Sequence, residues 1–376
     1  MNKNKYFLLC VLSISFCLLF SAKANAKNND DKPNIVWPHI AVDTIKDRPD
    51  KLVDKDICLA VSKMVDDKLQ ELKNEESLDF NLVDKENAAN PFDFSQNSEP
   101  QVTLIPLIVN DNTEDSFVTY EGQKHYTSIA LCQIDIAFCY YPGSGENLRV
   151  LKVIPLSGFS QPGSDGEHTS KISLAEKKQE FISNAGHLIN EFLDFGKDKK
   201  FFDMLKKKNY TDYTYQVTAV DVTSEAVKKF YGNDLHWAQA LIGSIYTSAF
   251  AAKHPEYAVL PAATNDGWAA TAAAGTTTLN LGNSGKYLVL QPADKQIKLE
   301  LSMVGKFDVP QKHDTGIYKF IGFAAELKNN TDGIQVKDHV EKRFIAKNSY
   351  QVSNAYYTRG ILIELFRKTA VNLAER

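Results

Sequence analysis

Histidines stand at positions 39, 125, 168, 187, 236, 254, 313 and 339. No two of them form His-Glu-x-x-His, the spacing that sets two imidazoles on one helical face around zinc. His187 and His236 fall in stretches of helical periodicity, where an imidazole packs or meets solvent. His313-Asp314 and Asp338-His339 read as turn pairs that bind a metal only if folding joins them. A nucleophilic serine needs the strand–turn–helix of Gly-x-Ser-x-Gly. Gly143-Ser144-Gly145 instead stands between two strand patterns and opens no helix, so it reads as a hairpin turn. The glycines of 158–166 precede no Gly-Lys-Ser/Thr, the sequence that cradles phosphate. Asp66-Asp67 and Glu75-Glu76 lie on a polar helix face and at its end, where carboxylates serve solvation. No catalytic, cofactor-binding or metal-ligating residue is assigned, and no cofactor is implied. A hydrolytic site would have to be assembled between two domains from side chains such as His236, Asp266 and His313, brought within hydrogen-bond reach.

Binding chemistry has clearer candidates. Asn265-Asp266-Gly267-Trp268 opens an Ala/Thr/Gly tract with no charge between Asp266 and Lys286. It reads as a surface loop. Asn265, Asp266 and Trp268 are its candidate partner-binding residues, because a tryptophan at a loop entrance can anchor a partner or tuck over a sheet edge. Tyr140 and Tyr141 are further aromatic candidates, with core packing as the alternative. The basic run Lys197–Lys208 suits a solvated linker face, and peripheral contact with anionic lipid or glycan is its other use.

Cysteines divide by position. Cys10 and Cys17 lie in an apolar leader, and Ile14-Ser15-Phe16 lacks the small residues that precede a lipoprotein cysteine. Of the other three, Cys132 and Cys139 are seven steps apart in a strand pattern, roughly 23 Å at about 3.3 Å per residue. A disulfide needs Cα atoms within about 7 Å. Any bridge therefore joins Cys58 to Cys132 or to Cys139, or all three are buried thiols.

The leader itself is a positive start (Lys3, Lys5), an apolar stretch from Tyr6 to Phe20, and Ala24-Asn25-Ala26. This is a secretory signal peptide with cleavage after Ala26. Its apolar run of roughly 15 residues falls short of the roughly 20 that span a bilayer. Losing the three lysines of the signal takes the net charge from −4 to −7. That acidic balance disfavours a nucleic-acid partner.

Residues 27–376 suit two domains, with boundaries at 27–196 and 211–376 and a linker over 197–210. In the first, a strand around Ile40–Val42 precedes a helix over 50–74. Ile57, Val61, Met64, Val65 and Leu72 line one face of that helix. A short strand follows near Phe80–Val83. Val102–Val109 is a strand with Pro106 at an edge or bulge. Tyr126–Tyr141 alternates as a strand with one buried face, and Asn147–Leu156 is another strand. Ser173-Leu-Ala-Glu176 is a capping box opening a helix to about Leu193, with Phe181, Leu188 and Phe192 along one side. The second half repeats this order. It has a strand over 213–222, a helix from Asp234 to His254, and a short strand at 257–260. Tyr287–Leu290 pairs locally. Strands near 297–303, 317–327 and 340–346 follow, then a closing helix over 355–374. Ala41-Val42-Asp43 and Ala219-Val220-Asp221 stand at matching places. The fold class is α+β: two similar domains, each a mostly antiparallel sheet covered on one face by two helices.

Residues 211–376 resemble the small α/β domain shared by the TolB amino-terminal domain, the curli secretion lipoprotein and the outer-membrane activators of penicillin-binding proteins. The opening strand QVTAVDV, the helix ending AAKHPEYAVLPA, the strands IKLELSMVGKF and GIYKFIGFAAEL, the turn NNTDG and the closing helix carry the likeness. The acylated cysteine of the lipoprotein members and the TolB propeller are both missing. The resemblance implies a non-enzymatic exported envelope protein, periplasmic or secreted, that binds or helps assemble other envelope components. The alternative is a secreted hydrolase with its site between the domains.

Overall fold

A computed structural model describes residues 32–45, 48–84, 100–120, 122–143, 147–160, 168–195, 199–207, 214–232, 235–254, 257–264, 288–290, 292–313, 316–346, 350–352 and 354–376. The leader, its cleavage point and the loop 265–286 lie outside the described residues.

The first strand pattern is split. β1 (Asn34–Trp37) and β2 (Val42–Asp43) pair in parallel with successive parts of β4 (Gln101–Asn110). Pro38, which has no amide hydrogen, and His39, with φ 56°, separate them. Pro106 falls in β4 opposite this break and keeps register with Ile136 of β6, so the proline stands at neither an edge nor a bulge but inside a central strand, at the gap where neither β1 nor β2 pairs with it. β3 (Asn81–Asp84) runs parallel to β1. On the other side of β4, the long strand β6 (Gln123–Tyr141) and then β7 (Leu148–Ser160) pair antiparallel. β5 (Thr113–Tyr120), not evident in the sequence, forms a hairpin with β6.

Two helices cover one face of this sheet. α1 (Lys55–Asn74) opens on Asp54, whose carboxylate accepts from the amides of Asp56 and Ile57 at 3.1 and 3.0 Å. It buries Ile57, Val61, Val65, Leu69 and Leu72. α2 (Leu174–Phe192) opens in the expected capping box: the Glu176 amide donates to Ser173 Oγ, and the Ser173 amide donates to the Glu176 carboxylate. The charged stretch read as a linker is instead α3 (Lys199–Lys206). Its lysines mask an apolar stripe, for Phe201, Phe202 and Leu205 are buried in the first core, with Phe201 5.1 Å from Phe138.

The second sheet is built from β8 (Thr214–Val222), β9 (Ala258–Val259), β11 (Lys295–His313), β12 (Gly316–Asn329) and β13 (Gln335–Ala346). Its order, β9-β8-β11-β12-β13, matches β3-β1-β4-β6-β7 strand for strand. The senses match too. In each sheet the first strand is flanked by two parallel neighbours, and the last two strands continue antiparallel. α4 (Glu225–Tyr231), α5 (Leu235–Lys253) and α6 (Asn354–Ala374) complete this half. The turn after β12 closes as its sequence predicts, with Gly333 at φ 75° donating to the Asn329 carbonyl. The result is α+β with two mixed sheets.

The halves are joined more closely than two separate sandwiches would be. β10 (Leu288–Val289), expected to pair locally, runs parallel to β7 and extends the first sheet. β14 (Tyr350–Val352) pairs with β5. The face of the first sheet away from its helices is also buried: Ile105, Leu107, Ala137, Cys139 and Val153 share a cluster with Leu260, Leu290 and Ala293. β6 is therefore buried on both sides through its second half, the charged Asp135 included, where its alternation predicts one buried face. Cys58, Cys132 and Cys139 are all free thiols.

Candidate functional site

A cavity of about 320 Å³ opens where the two halves meet. Three elements build it. β7 contributes the run Lys152–Ser157, the end of α2 contributes Leu188, Glu191 and Phe192 with Asp194 beyond, and α5 contributes Ser248, Ala251 and Ala252.

The local sequence explains each wall. α2 ends at Phe192, and the chain turns extended at Leu193 (ψ 102°). Leu193 and Phe195 are buried in the first core. Anchoring the chain on those two residues leaves Phe192 59% exposed at the cavity lip, with the His187 ring edge-on to it at 5.8 Å. α5 has no charged side chain before Lys253. A helix apolar on all sides is one that packs on all sides. Ala238, Leu241 and Ile242 enter the second core, while Ser248, Ala251 and Ala252 line the cavity toward β7. Gly158 on β7 lets α2 approach: a Cβ there would lie 3.1 Å from Leu188 Cδ2 and from Asn184 Oδ1.

The cavity wall is mainly apolar, with Lys152, Ser157 and Ser248 as polar members, and two acidic side chains stand at its rim. Val153, Leu156 and Leu188 are buried, and Glu191 and Asp194 are exposed. Lys152 is 2% exposed, with its ammonium 5.3 Å from the centroid of the Phe201 ring, a cation–π contact.

A second cleft of about 210 Å³ lies at the same C-terminal end of α5, lined by Tyr246, Phe250 and His254 instead of Ser248, Ala251 and Ala252. Its rings stack on one another, Tyr215 on Tyr257 at 4.5 Å and Phe250 beside His254 at 4.7 Å. Lys295 sits over Tyr215, 5.3 Å from its centroid. Burial pushes the Tyr246 hydroxyl up to about 12. The rings satisfy one another, so this is packing at a cleft.

The candidates read from sequence separate. Tyr141 is fully buried in the cluster between the halves, and Tyr140 is half-buried against the first core. Asn265, Asp266 and Trp268 lie outside the described residues. His236 stands on the first turn of α5, near the end of β8, since Gln239 donates to the Val220 carbonyl. His313 ends β11, twelve residues past Leu301, the partner of Val222 in β8. Twelve residues of strand span roughly 40 Å, so the structure does not bring these two histidines together. Asp338-His339 is not a turn: it lies within β13, where Asp338 accepts from Asn372 Nδ2 at 3.0 and 2.9 Å. Among the described residues no three His, Cys, Asp or Glu side chains gather as metal ligands.

The periodicity of α2 sets Phe192 in line with Phe181 and Leu188 on the inward side, whereas in the fold it is exposed at the cavity. The signal was there in two parts: a helix whose last apolar residue is followed at once by Leu193 and Phe195, and a helix, α5, without a polar face.

No protein-family model and no curated protein matches the chain. Among solved structures it is similar to a minor lipoprotein from Acinetobacter baumannii, at 5% identity and a TM-score of 0.22, over 43% of this chain and 91% of that one. Among the described residues no helix is long and apolar enough to cross a membrane.

Proposed function

We propose that this chain is an exported, non-enzymatic envelope protein that binds or helps assemble other envelope components, and that the cavity between its halves seats the partner. The observation that carries the reading is Phe192, a large exposed ring at the lip of an apolar cavity rimmed by Glu191 and Asp194. An exposed aromatic beside an apolar recess marks an interaction site. The acidic rim selects a partner segment that offers an apolar side chain flanked by Lys or Arg.

Export rests on the leader, with Lys27 the first mature residue. The matching strand order of the two sheets supports a tandem duplication in which the paired units clasp the cavity. The TolB-type layout of the second half suits the same role.

A photo-crosslinking residue at position 192, expressed in native cells, tests the reading. It should yield a discrete adduct that the same residue at position 59 does not; Leu59 is as exposed, but lies on α1 away from the cavity. Equal labelling from both positions, or none at 192, sinks the proposal. Intact mass of the exported chain should begin at Lys27.

A further inference from the structure

Among the described residues the outer edge of β13 carries no strand. Its counterpart in the first sheet, β7, has that edge filled by β10. β13 is twelve residues long, and an open edge of that length is a template for another strand. Val336 and Val340 point into the second core, and Lys337, His339 and Glu341 are exposed on the other face. Lys337 is already held, its ammonium 2.7 Å from Glu326 directly opposite on β12. Glu341 stands opposite Gly322 and has no ionic partner among the described residues.

We propose that β13 pairs antiparallel with β13 of a second copy of this chain, joining two second sheets across a two-fold axis. The axis, normal to the sheet, leaves every residue on its own face, so only like-parity positions can stand opposite one another. Centring on Val340 sets Lys337 against Arg343, two like charges, and its one opposite pair, Asp338 with Lys342, draws on a carboxylate already held by Asn372 and Lys368. Centring on Asp338 sets two aspartates together. Centring on His339 sets Lys337 opposite Glu341 of the second copy, twice. Each contact then reads Glu326–Lys337–Glu341, and the Glu341 carboxylate gains a counter-ion from the second copy. Opposite charges in facing positions stabilise strand pairs and like charges oppose them. The charges thus favour this chain's own edge and reject strands of other patterns. Lys368 on α6 donates to the His339 carbonyl at 3.3 Å, an exposed contact that an incoming main-chain amide replaces.

Sedimentation velocity of the mature chain over a concentration series tests this, with circular dichroism confirming the fold of each variant. The wild type should associate to a dimer. Lys337→Glu and Glu341→Lys should each weaken it about tenfold, since two attractive pairs become two repulsive ones. Mixing the two single variants, or combining both changes in one chain, should restore association. A wild type that stays monomeric overturns the proposal. So does a dimer indifferent to Lys337→Glu, or single variants that mixing fails to rescue.

Discussion

The amide of Leu52 donates to Asp111 Oδ2 at 2.6 Å across fifty-nine positions of chain, and the Val53 amide joins it at 2.9 Å. Asp111 is fully buried, and its other oxygen takes the guanidinium of Arg48. One carboxylate thus ties the segment entering α1 to the end of β4. Asp111→Ala leaves two buried amides and a guanidinium without their acceptor, and should cost about 3–5 kcal/mol. Urea unfolding should show a lower midpoint with an unchanged slope. A loss under about 1 kcal/mol would mean the segment finds other acceptors.

Asp54 makes the first half sensitive to acid. It caps α1 and accepts from Lys178 on α2, so one carboxylate serves two helices. The Lys178 hydrogen bond, then the Ile57 amide, hold its carboxyl below the usual 3.8. A carboxyl lowered in the fold binds protons more readily in the unfolded chain. Its stabilisation is therefore complete above the unfolded value and is lost as pH falls through the folded one. Asp54→Ala should cost about 1 kcal/mol at neutral pH. Its stability should then fall less steeply than the wild type's below pH 3.8. Parallel acid limbs in urea titrations would assign the acid sensitivity elsewhere.

Local rules carried far in this chain, and they failed where long-range packing decides. The capping box at Ser173, the Asn329–Gly333 turn and the strand–helix order were legible because each depends on a few neighbouring residues. α3 was hidden because the six lysines of Lys197–Lys208 outweigh the four apolar residues Phe201, Phe202, Met204 and Leu205 in any charge count. The fate of Leu288–Val289 was not local at all: its partner, Leu148–Arg149, lies in the other half. The burial of Tyr141 follows from the same cause, for the second half covers a face that the alternation of β6 alone leaves to solvent.

The three thiols should report this double burial. Cys132 and Cys139 are fully buried, and burial drives both thiols far above their usual range. Cys58 is half-buried, and its thiol is pushed up to about 11, by burial first and then by Asp43 and Asp54. In the native chain at neutral pH, a thiol reagent should label Cys58 slowly and the other two only after unfolding. Labelling followed by peptide mapping gives the order. Fast reaction at Cys139 would show that the second half does not cover that face.

Two helical glycines should respond in opposite directions to the same change. Glycine costs a helix interior about 0.8–1.0 kcal/mol relative to alanine. At Gly186 in α2 a Cβ would meet only Met64, at 3.6 and 3.7 Å, an ordinary contact with a flexible side chain. Gly186→Ala should therefore stabilise by about 0.5–1 kcal/mol. At Gly243 in α5 a Cβ would lie 3.0 Å from Thr264 Cγ2 and 3.3 Å from Ala262 Cβ. Thr264 is buried and has little room to yield. Overpacking of this kind costs about 1–3 kcal/mol, which exceeds the helical gain. Gly243→Ala should lower the thermal midpoint while Gly186→Ala raises it. If both raised it, the segment after β9 would have to move away from α5, and the close seat of that helix between the two sheets would be refuted.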